Sequence, residues 1–138
     1  MKTSHLIIQQ DNDIRQVRQH FNDLYPYLKI NFFLSRKNEK ELNAHSIVFS
    51  DAVKLKEINP VFSGGDIEVS DDMSILDFEN EFLRRFGLSV QVSRRSGNLW
   101  LDTTKTNQWS LKEQNDHGEA ISPGFEQKPP FSEIPYGC

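Results

Sequence analysis

The sequence predicts an α/β protein, α+β in the stricter sense, with a mainly antiparallel sheet and two principal helices on one of its faces. Two segments have apolar residues at helical spacing, each follows a short apolar strand, and each precedes a segment in which apolar and polar residues alternate. Two such strand–helix–strand units indicate a ferredoxin-like split βαβ sandwich. A β-grasp-like arrangement, with only the second unit in the core, is the alternative.

The first unit covers residues 6–32. Residues 6–8 form a short apolar strand, and Asp13 is positioned to cap a helix whose apolar stripe spans residues 14–25. Pro26 cannot continue a helix, so the helix ends just before it. Residues 28–32 then alternate apolar and polar, which predicts a strand with one buried face.

The second unit begins with a strand at residues 66–69. Ser74 is the expected N-cap of a helix over residues 75–86, and Gly87 is the expected left-handed C-cap. Acidic residues early in this helix and arginines late in it suit the helix dipole.

A β-hairpin over Val90–Leu101 follows, with its turn at residues 95–98. In its second strand Leu99 and Leu101 point one way, and Trp100 points the other way, alongside Gln91.

The remaining segments are less regular. Residues 44–62 suggest two short strands, at 46–49 and 53–55, which cover a sheet edge, and the charged residues 35–43 suggest a solvated loop. Ser110 and Glu113 form a capping box that predicts a last helix from Leu111 to about residue 117, stopping at Gly118. We therefore expect one domain over residues 1–118 and a proline-rich tail, extended or disordered, over residues 119–138.

The two units correspond in sequence. The helix positions match at an offset of 61 residues and the following strands match at an offset of 60: Ile14, Val17, Phe21 and Tyr25 with Ile75, Phe78, Phe82 and Phe86, then Leu28, Ile30 and Phe32 with Leu88, Val90 and Val92. Two interpretations fit this match, a true internal repeat and the pattern shared by any amphipathic βαβ unit.

Composition and motifs exclude several function classes. The net charge of −4 gives no general attraction to nucleic acid or anionic membrane, and no apolar run is long enough for a signal peptide or a membrane span. The single cysteine, Cys138, forms no intrachain disulfide, which fits a cytoplasmic protein. The four histidines are widely spaced and no glycine-rich phosphate loop occurs, so no metal or cofactor is predicted. Asp71 and Asp72 beside Glu68 suggest helix capping, with a cation or acid–base site as the alternative.

One group of residues suggests binding. Trp100, Gln91, Arg94 and Arg95 would form a basic and aromatic surface on the hairpin, whereas Trp109 would pin the last helix to the body. We expect a non-enzymatic protein-interaction or accessory domain that uses this surface to bind a protein partner or a second copy of itself. A small-ligand or single-stranded nucleic-acid binder, and an enzyme whose site forms only in the fold, are the alternatives.

Three segments also resemble a small bacterial protein family of unknown function. They are YPYLKINFF at residues 25–33, DDMSILDFE at 71–79 and FGLSVQVSRRSGNLWLDTTKTNQWSLKEQN at 86–115. The family's pattern has an aromatic residue where this chain has Ser93. The resemblance covers about the first 120 residues and implies a shared α/β fold, with no activity, cofactor or site residue to carry over.

Overall fold

Strands and helices alternate along the part of the chain that the computed structural model describes, residues 3–34 and 47–122. The elements are β1 (Thr3–Ile8), α1 (Ile14–Leu24), β2 (Leu28–Leu34), β3 (Ile47–Val48), α2 (Leu55–Ile58), β4 (Gly65–Ser70), α3 (Ile75–Phe86), β5 (Ser89–Ser96), β6 (Leu99–Asp102) and α4 (Leu111–Ala120), with a 3-10 turn at Thr104–Thr106. The α+β class and the antiparallel pairing are confirmed.

The strands are divided between two sheets. β1 pairs with β4 in a two-stranded sheet, and β3, β2, β5 and β6 form a four-stranded sheet in that order. The single interleaved sheet of a split βαβ sandwich is therefore not found. The reason is that the first two strands of each unit pair with their counterparts in the other unit, β1 with β4 and β2 with β5, so that β1 and β2 belong to different sheets.

The two principal helices have the predicted caps. The Asp13 side chain accepts from the Gln16 amide at the start of α1, and the Ser74 hydroxyl accepts from the Asp77 amide at the start of α3. Gly87 ends α3 with a φ of 65°, the left-handed conformation that favours glycine.

One apolar core joins the helices to both sheets. Each helix buries one stripe: Ile14, Val17 and Phe21 on α1, and Ile75, Phe78, Phe82 and Phe86 on α3. Phe82 lies at the centre of the aromatic contacts, with ring centroids 5.7 Å from Phe32 and 4.8 Å from Phe86. Leu6, Ile8, Ile67 and Val69 close the core from the two-stranded sheet.

The strand pairing follows an internal two-fold arrangement. Leu6 lies opposite Ile67 in the two-stranded sheet, and the two residues are 61 positions apart. Asn31 lies opposite Gln91 in the four-stranded sheet, 60 positions apart. These are the offsets of the sequence match, so one pair of equivalent residues lies directly opposite in each sheet, as expected where two equivalent antiparallel strands meet at a local two-fold axis. This pairing, together with the shared order of elements, supports the interpretation as an internal repeat.

The correspondence extends to the segments that follow each unit. The Ile14 amide donates to the carbonyl of Val53, and the Ile75 amide donates to the carbonyl of Trp109, both at 3.0 Å. Leu55 and Leu111, the first residues of α2 and α4, are both fully buried. Within the described residues, each half thus has the element order β-α-β-β-α.

Three local predictions are corrected. The strand predicted at residues 53–55 is absent, because Lys54 is the N-cap of α2 and buried Leu55 is its first residue. The strand predicted at 46–49 is the two-residue β3, which pairs with the end of β2. The loop at 35–43 and residues 123–138 of the predicted tail lie outside the described residues.

The last helix also passes through Gly118 instead of ending there. α4 continues to Ala120, and Gly118 is buried where the helix crosses Tyr27 and Arg94. A Cβ atom at Gly118 would lie 2.9 Å from Cβ of Tyr27 and 3.3 Å from the carbonyl oxygen of Arg95. Glycine serves here for close packing, not for a turn.

Gly118→Ala is therefore expected to lower the free energy of unfolding by about 1–2 kcal/mol, although alanine is the better helix former by about 1 kcal/mol. Urea unfolding measures the change. Glu119→Ala, at an exposed position of the same helix, is the control and should change stability by less than about 0.5 kcal/mol. A stabilised Gly118→Ala protein would contradict the close approach of α4.

Candidate interaction surface

The four-stranded sheet has one face that points away from α1 and α3. Leu28, Ile30 and Phe32 of β2 are buried toward the helices, so the alternate residues Lys29 and Asn31 lie on the opposite side. Pairing places Gln91 and Arg95 of β5 and Trp100 of β6 on that same side. We call these five residues, Lys29, Asn31, Gln91, Arg95 and Trp100, the outer face.

Two cations lie over the ring of Trp100 on the outer face. Nζ of Lys29 lies 5.1 Å from the centroid of the indole, and the guanidinium carbon of Arg95 lies 5.3 Å from it. Both distances fall within the range of cation–π attraction. Arg95 is fixed further by a 2.7 Å hydrogen bond from its Nε to the carbonyl oxygen of Gly97. The partly exposed indole is therefore held in place by its neighbours.

The outer face concentrates positive charge in an acidic chain. Burial, followed by the nearby guanidinium of Arg18, lowers the pKa of Lys29, and Asp51 opposes that effect. Arg18 reaches the sheet from α1: it pairs with Asp51, and its Nη2 donates to Oδ1 of Asn31 at 3.3 Å. An anionic group bound above Lys29 would relieve the repulsion between these cations.

Amide and hydroxyl side chains occupy the centre of the outer face. Nδ2 of Asn31 donates to Oγ of Ser93 at 3.0 Å, and Nε2 of Gln91 donates to Oγ1 of Thr104 at 3.1 Å. Ser93, the position where the resembled family has an aromatic residue, is buried in this network. The centre is polar, and its side chains are oriented by their mutual hydrogen bonds.

Arg94 does not join the other predicted binding residues. Its side chain lies on the helix side of the sheet, where Nη1 donates to Oε1 of fully buried Gln114 at 2.8 Å. Its guanidinium carbon lies 5.9 Å from the ring centroid of Trp109, which also contacts the ring of His117. The structure thus places Trp100, Gln91 and Arg95 on one face, with Arg95 in contact with Trp100, and leaves Arg94 to hold α4 against the sheet.

The acidic side chains of Asp71 and Asp72 accept hydrogen bonds from other residues of the fold. Asp71 accepts from the Tyr25 hydroxyl at 2.8 Å, and Asp72 accepts from the Ser70 hydroxyl at 2.6 Å. Both line an open depression of about 920 Å³ beside the start of α4, together with Gln108, Ser110, Lys112, Glu113 and Asp116. Within this depression Glu113 completes the capping box of α4. The N-cap of α3 is Ser74, so the carboxylates of Asp71 and Asp72 accept other hydrogen bonds within the fold and do not cap that helix.

Within residues 3–34 and 47–122, no group of three or more histidine, cysteine, aspartate or glutamate side chains is placed to hold a metal ion. None of the helices in this part of the chain combines the length and the apolar character that a membrane span requires. Comparison with known proteins finds no matching family model, no similar curated protein and no similar solved structure.

The sequence did not single out Lys29, Asn31 and Arg18. The alternation in β2 already placed Lys29 and Asn31 on the face away from the core. The missing information was the register between β2 and β5, which sets Lys29 opposite Ser93 and next to Trp100. Arg18 lies on a helix and reaches the sheet by a long side chain, which no local pattern indicates.

Proposed function

We propose that the chain is a non-enzymatic protein-interaction domain whose outer face binds an acidic segment of a partner protein. The observation that supports the proposal is the contact of Trp100 with both Lys29 and Arg95 on the sheet face turned away from the helices. Tryptophan and arginine are enriched among the residues that dominate binding energy at protein interfaces. An indole that is already held in place loses little conformational entropy on binding.

The partner's charge follows from the outer face. Two cations flank the indole, whereas the whole chain carries a net charge of −4. A carboxylate bound beside the indole would be attracted by both cations, and an apolar or aromatic neighbour of that carboxylate would cover Trp100.

The test uses a photo-crosslinking amino acid at position 91 of the full chain. Its control is the same group at Asn80, which is exposed on α3 behind the sheet. We expect partner crosslinks from position 91 and not from position 80. Trp100→Ala should weaken partner binding at least about fivefold, since a central interface tryptophan contributes more than about 1 kcal/mol. The matched control Trp109→Ala should bind as the unaltered chain does, and equal losses in both variants would contradict the proposal.

A single-stranded nucleic acid is the second candidate ligand, because aromatic and cationic side chains on an open antiparallel sheet face suit base stacking and phosphate contact. Retention of an oligo-dT strand would then fall steeply with salt and would be lost in Arg95→Glu. A second copy of the chain is the third candidate. It predicts a concentration-dependent mass that Trp100→Ala reduces.

A further inference from the structure

A second exposed surface lies on the helix side of the sheet, along α3 and the end of β6. Leu76 and Leu83 are 38% and 48% exposed, and Glu79 lies between them on the same side of α3. Leu101 of β6, 41% exposed, lies on this side of the sheet because it pairs with Arg94. We call Leu76, Glu79, Leu83 and Leu101 the α3 flank.

Backbone contacts join the two parts of the α3 flank. Oε2 of Glu79 accepts from the Val92 amide at 3.0 Å, and the buried hydroxyl of Thr103 donates to the Val92 carbonyl at 2.9 Å. Glu79 and Thr103 thus satisfy the Val92 groups just past the end of β6. The carboxylate of Glu79 is therefore fixed next to the strand that carries Leu101.

The other half of the molecule shows that the fold does not need apolar residues at these positions. At the offset of 61, Leu76, Glu79 and Leu83 correspond to Arg15, Arg18 and Asn22 of α1. There, Nε of Arg18 donates to the Ile30 carbonyl and Nδ2 of Asn22 donates to the Leu28 carbonyl, both at 3.0 Å. In the first half, polar side chains at the same positions bond to the neighbouring strand, and the fold is the same.

The two halves also differ in how the charged side chain at this position of the helix, Arg18 in the first half and Glu79 in the second, is compensated. Arg18 forms an ion pair with Asp51. Among the described residues Glu79 has no ion pair, and the Val92 amide is its one hydrogen-bond donor. A partly buried carboxylate between exposed leucines is complementary to a cation that carries apolar neighbours.

We propose that the α3 flank binds a segment of another protein in which an arginine or lysine is flanked by apolar side chains. The cation pairs with Glu79, and its apolar neighbours cover Leu76, Leu83 and Leu101. This surface lies on the opposite side of the sheet from the outer face, so the proposal does not depend on the function proposed for Trp100. A chain with both surfaces would join an acidic segment and a basic one.

The test uses n-butylguanidinium as the probe and n-butylurea, a neutral molecule of nearly the same shape, as its control. Methyl resonances of the full chain are followed by NMR during titration. We expect n-butylguanidinium to shift the methyl signals of Leu76, Leu83 and Leu101, and to bind at least fivefold more tightly than n-butylurea. Glu79→Gln should abolish that difference, because it removes the charge and keeps an acceptor for the Val92 amide. Asp77→Asn, at an exposed carboxylate of the same helix, should preserve it.

Two results would overturn the proposal. One is equal binding of n-butylguanidinium to the unaltered chain and to Glu79→Gln; the other is a set of shifts spread evenly over the methyl groups of the surface. If the unaltered chain instead self-associates and Glu79→Gln prevents it, the α3 flank binds a second copy, and a basic segment of another protein is not its ligand. Trp100→Ala should leave the probe titration unchanged, so failure of the outer-face proposal would be seen separately.

Discussion

Phe82→Ala is expected to lower the free energy of unfolding by about 3–5 kcal/mol, the range for removing a buried phenylalanine. Phe82 is fully buried, and its ring contacts Phe32 of the sheet and both Phe78 and Phe86 of its own helix. Alanine would leave a cavity between α3 and β2 that these rigid rings cannot fill. The free energy of unfolding of a typical domain is only about 5–15 kcal/mol, so this loss is a large fraction of it. The midpoint of thermal unfolding should fall by about 10–20 °C.

Leu83→Ala is the matched control, since Leu83 is the next residue along α3 and faces solvent. It should change the free energy of unfolding by less than about 1 kcal/mol. Urea unfolding followed by tryptophan fluorescence measures both variants. Equal losses would mean that Leu83 contributes to the core as Phe82 does, which would also remove the argument that the α3 flank is available to a partner.

The helices were predictable because their signals are local. The stripe from Ile14 to Phe21 and the stripe from Ile75 to Phe86 specify which face is buried, and Asp13, Ser74 and Gly87 specify where the helices begin and end. These signals need only side-chain periodicity and the unsatisfied backbone groups of helix ends. The division of the strands between two sheets depends on pairings between residues 56 to 67 positions apart, which no local signal specifies.

The internal repeat was visible in the sequence, but its consequence was not. The offsets of 61 and 60 residues match the pairings Leu6 with Ile67 and Asn31 with Gln91. A sequence match leaves two arrangements open. The strands of both units can form one interleaved sheet, or the strands of one unit can pair with their counterparts in the other and form two sheets. The second helices of the two halves, α2 and α4, differ in length and share only the short sequence Leu-Lys-Glu at their starts, which is too brief a match to establish their equivalence. The equivalent hydrogen bonds that tie them to α1 and α3 appear only in the structure.

The candidate surface was predictable only in part. Strand alternation places Trp100 and Gln91 on one face, and the hairpin register adds Arg95. Adjacent Arg94 was grouped with them because it is basic, although alternation alone places it on the opposite face, where it meets Gln114. Glu79 gave no sign in the sequence, because a glutamate within an amphipathic helix is usually exposed.

Glu79→Gln is expected to make the protein more stable above pH 7 and to leave its stability at pH 5 nearly unchanged. Burial raises the pKa of Glu79 to about 7 from its ordinary value of 4.5, and the hydrogen bond from the Val92 amide opposes that rise. Between these two values the unfolded chain releases the proton while the folded protein keeps it. The folded state therefore loses stability as the pH rises from about 4.5 to 7, by up to about 1.4 kcal/mol per pH unit.

Partial solvent exposure reduces the effect, so we expect a gain on the order of 2 kcal/mol for Glu79→Gln at pH 8. Urea unfolding of both proteins at pH 5, 6, 7 and 8 measures the difference, and Asp77→Asn controls for the loss of one negative charge from α3. If the difference in the free energy of unfolding between the two proteins stays constant with pH, the Glu79 carboxylate is well solvated and the prediction is wrong.

A partner cation at Glu79 would stabilise the ionised form, so n-butylguanidinium should lower the pKa of Glu79 and reduce the loss of stability between pH 5 and 8. The same carboxylate that destabilises the isolated domain would then favour the complex, which links binding at the α3 flank to pH.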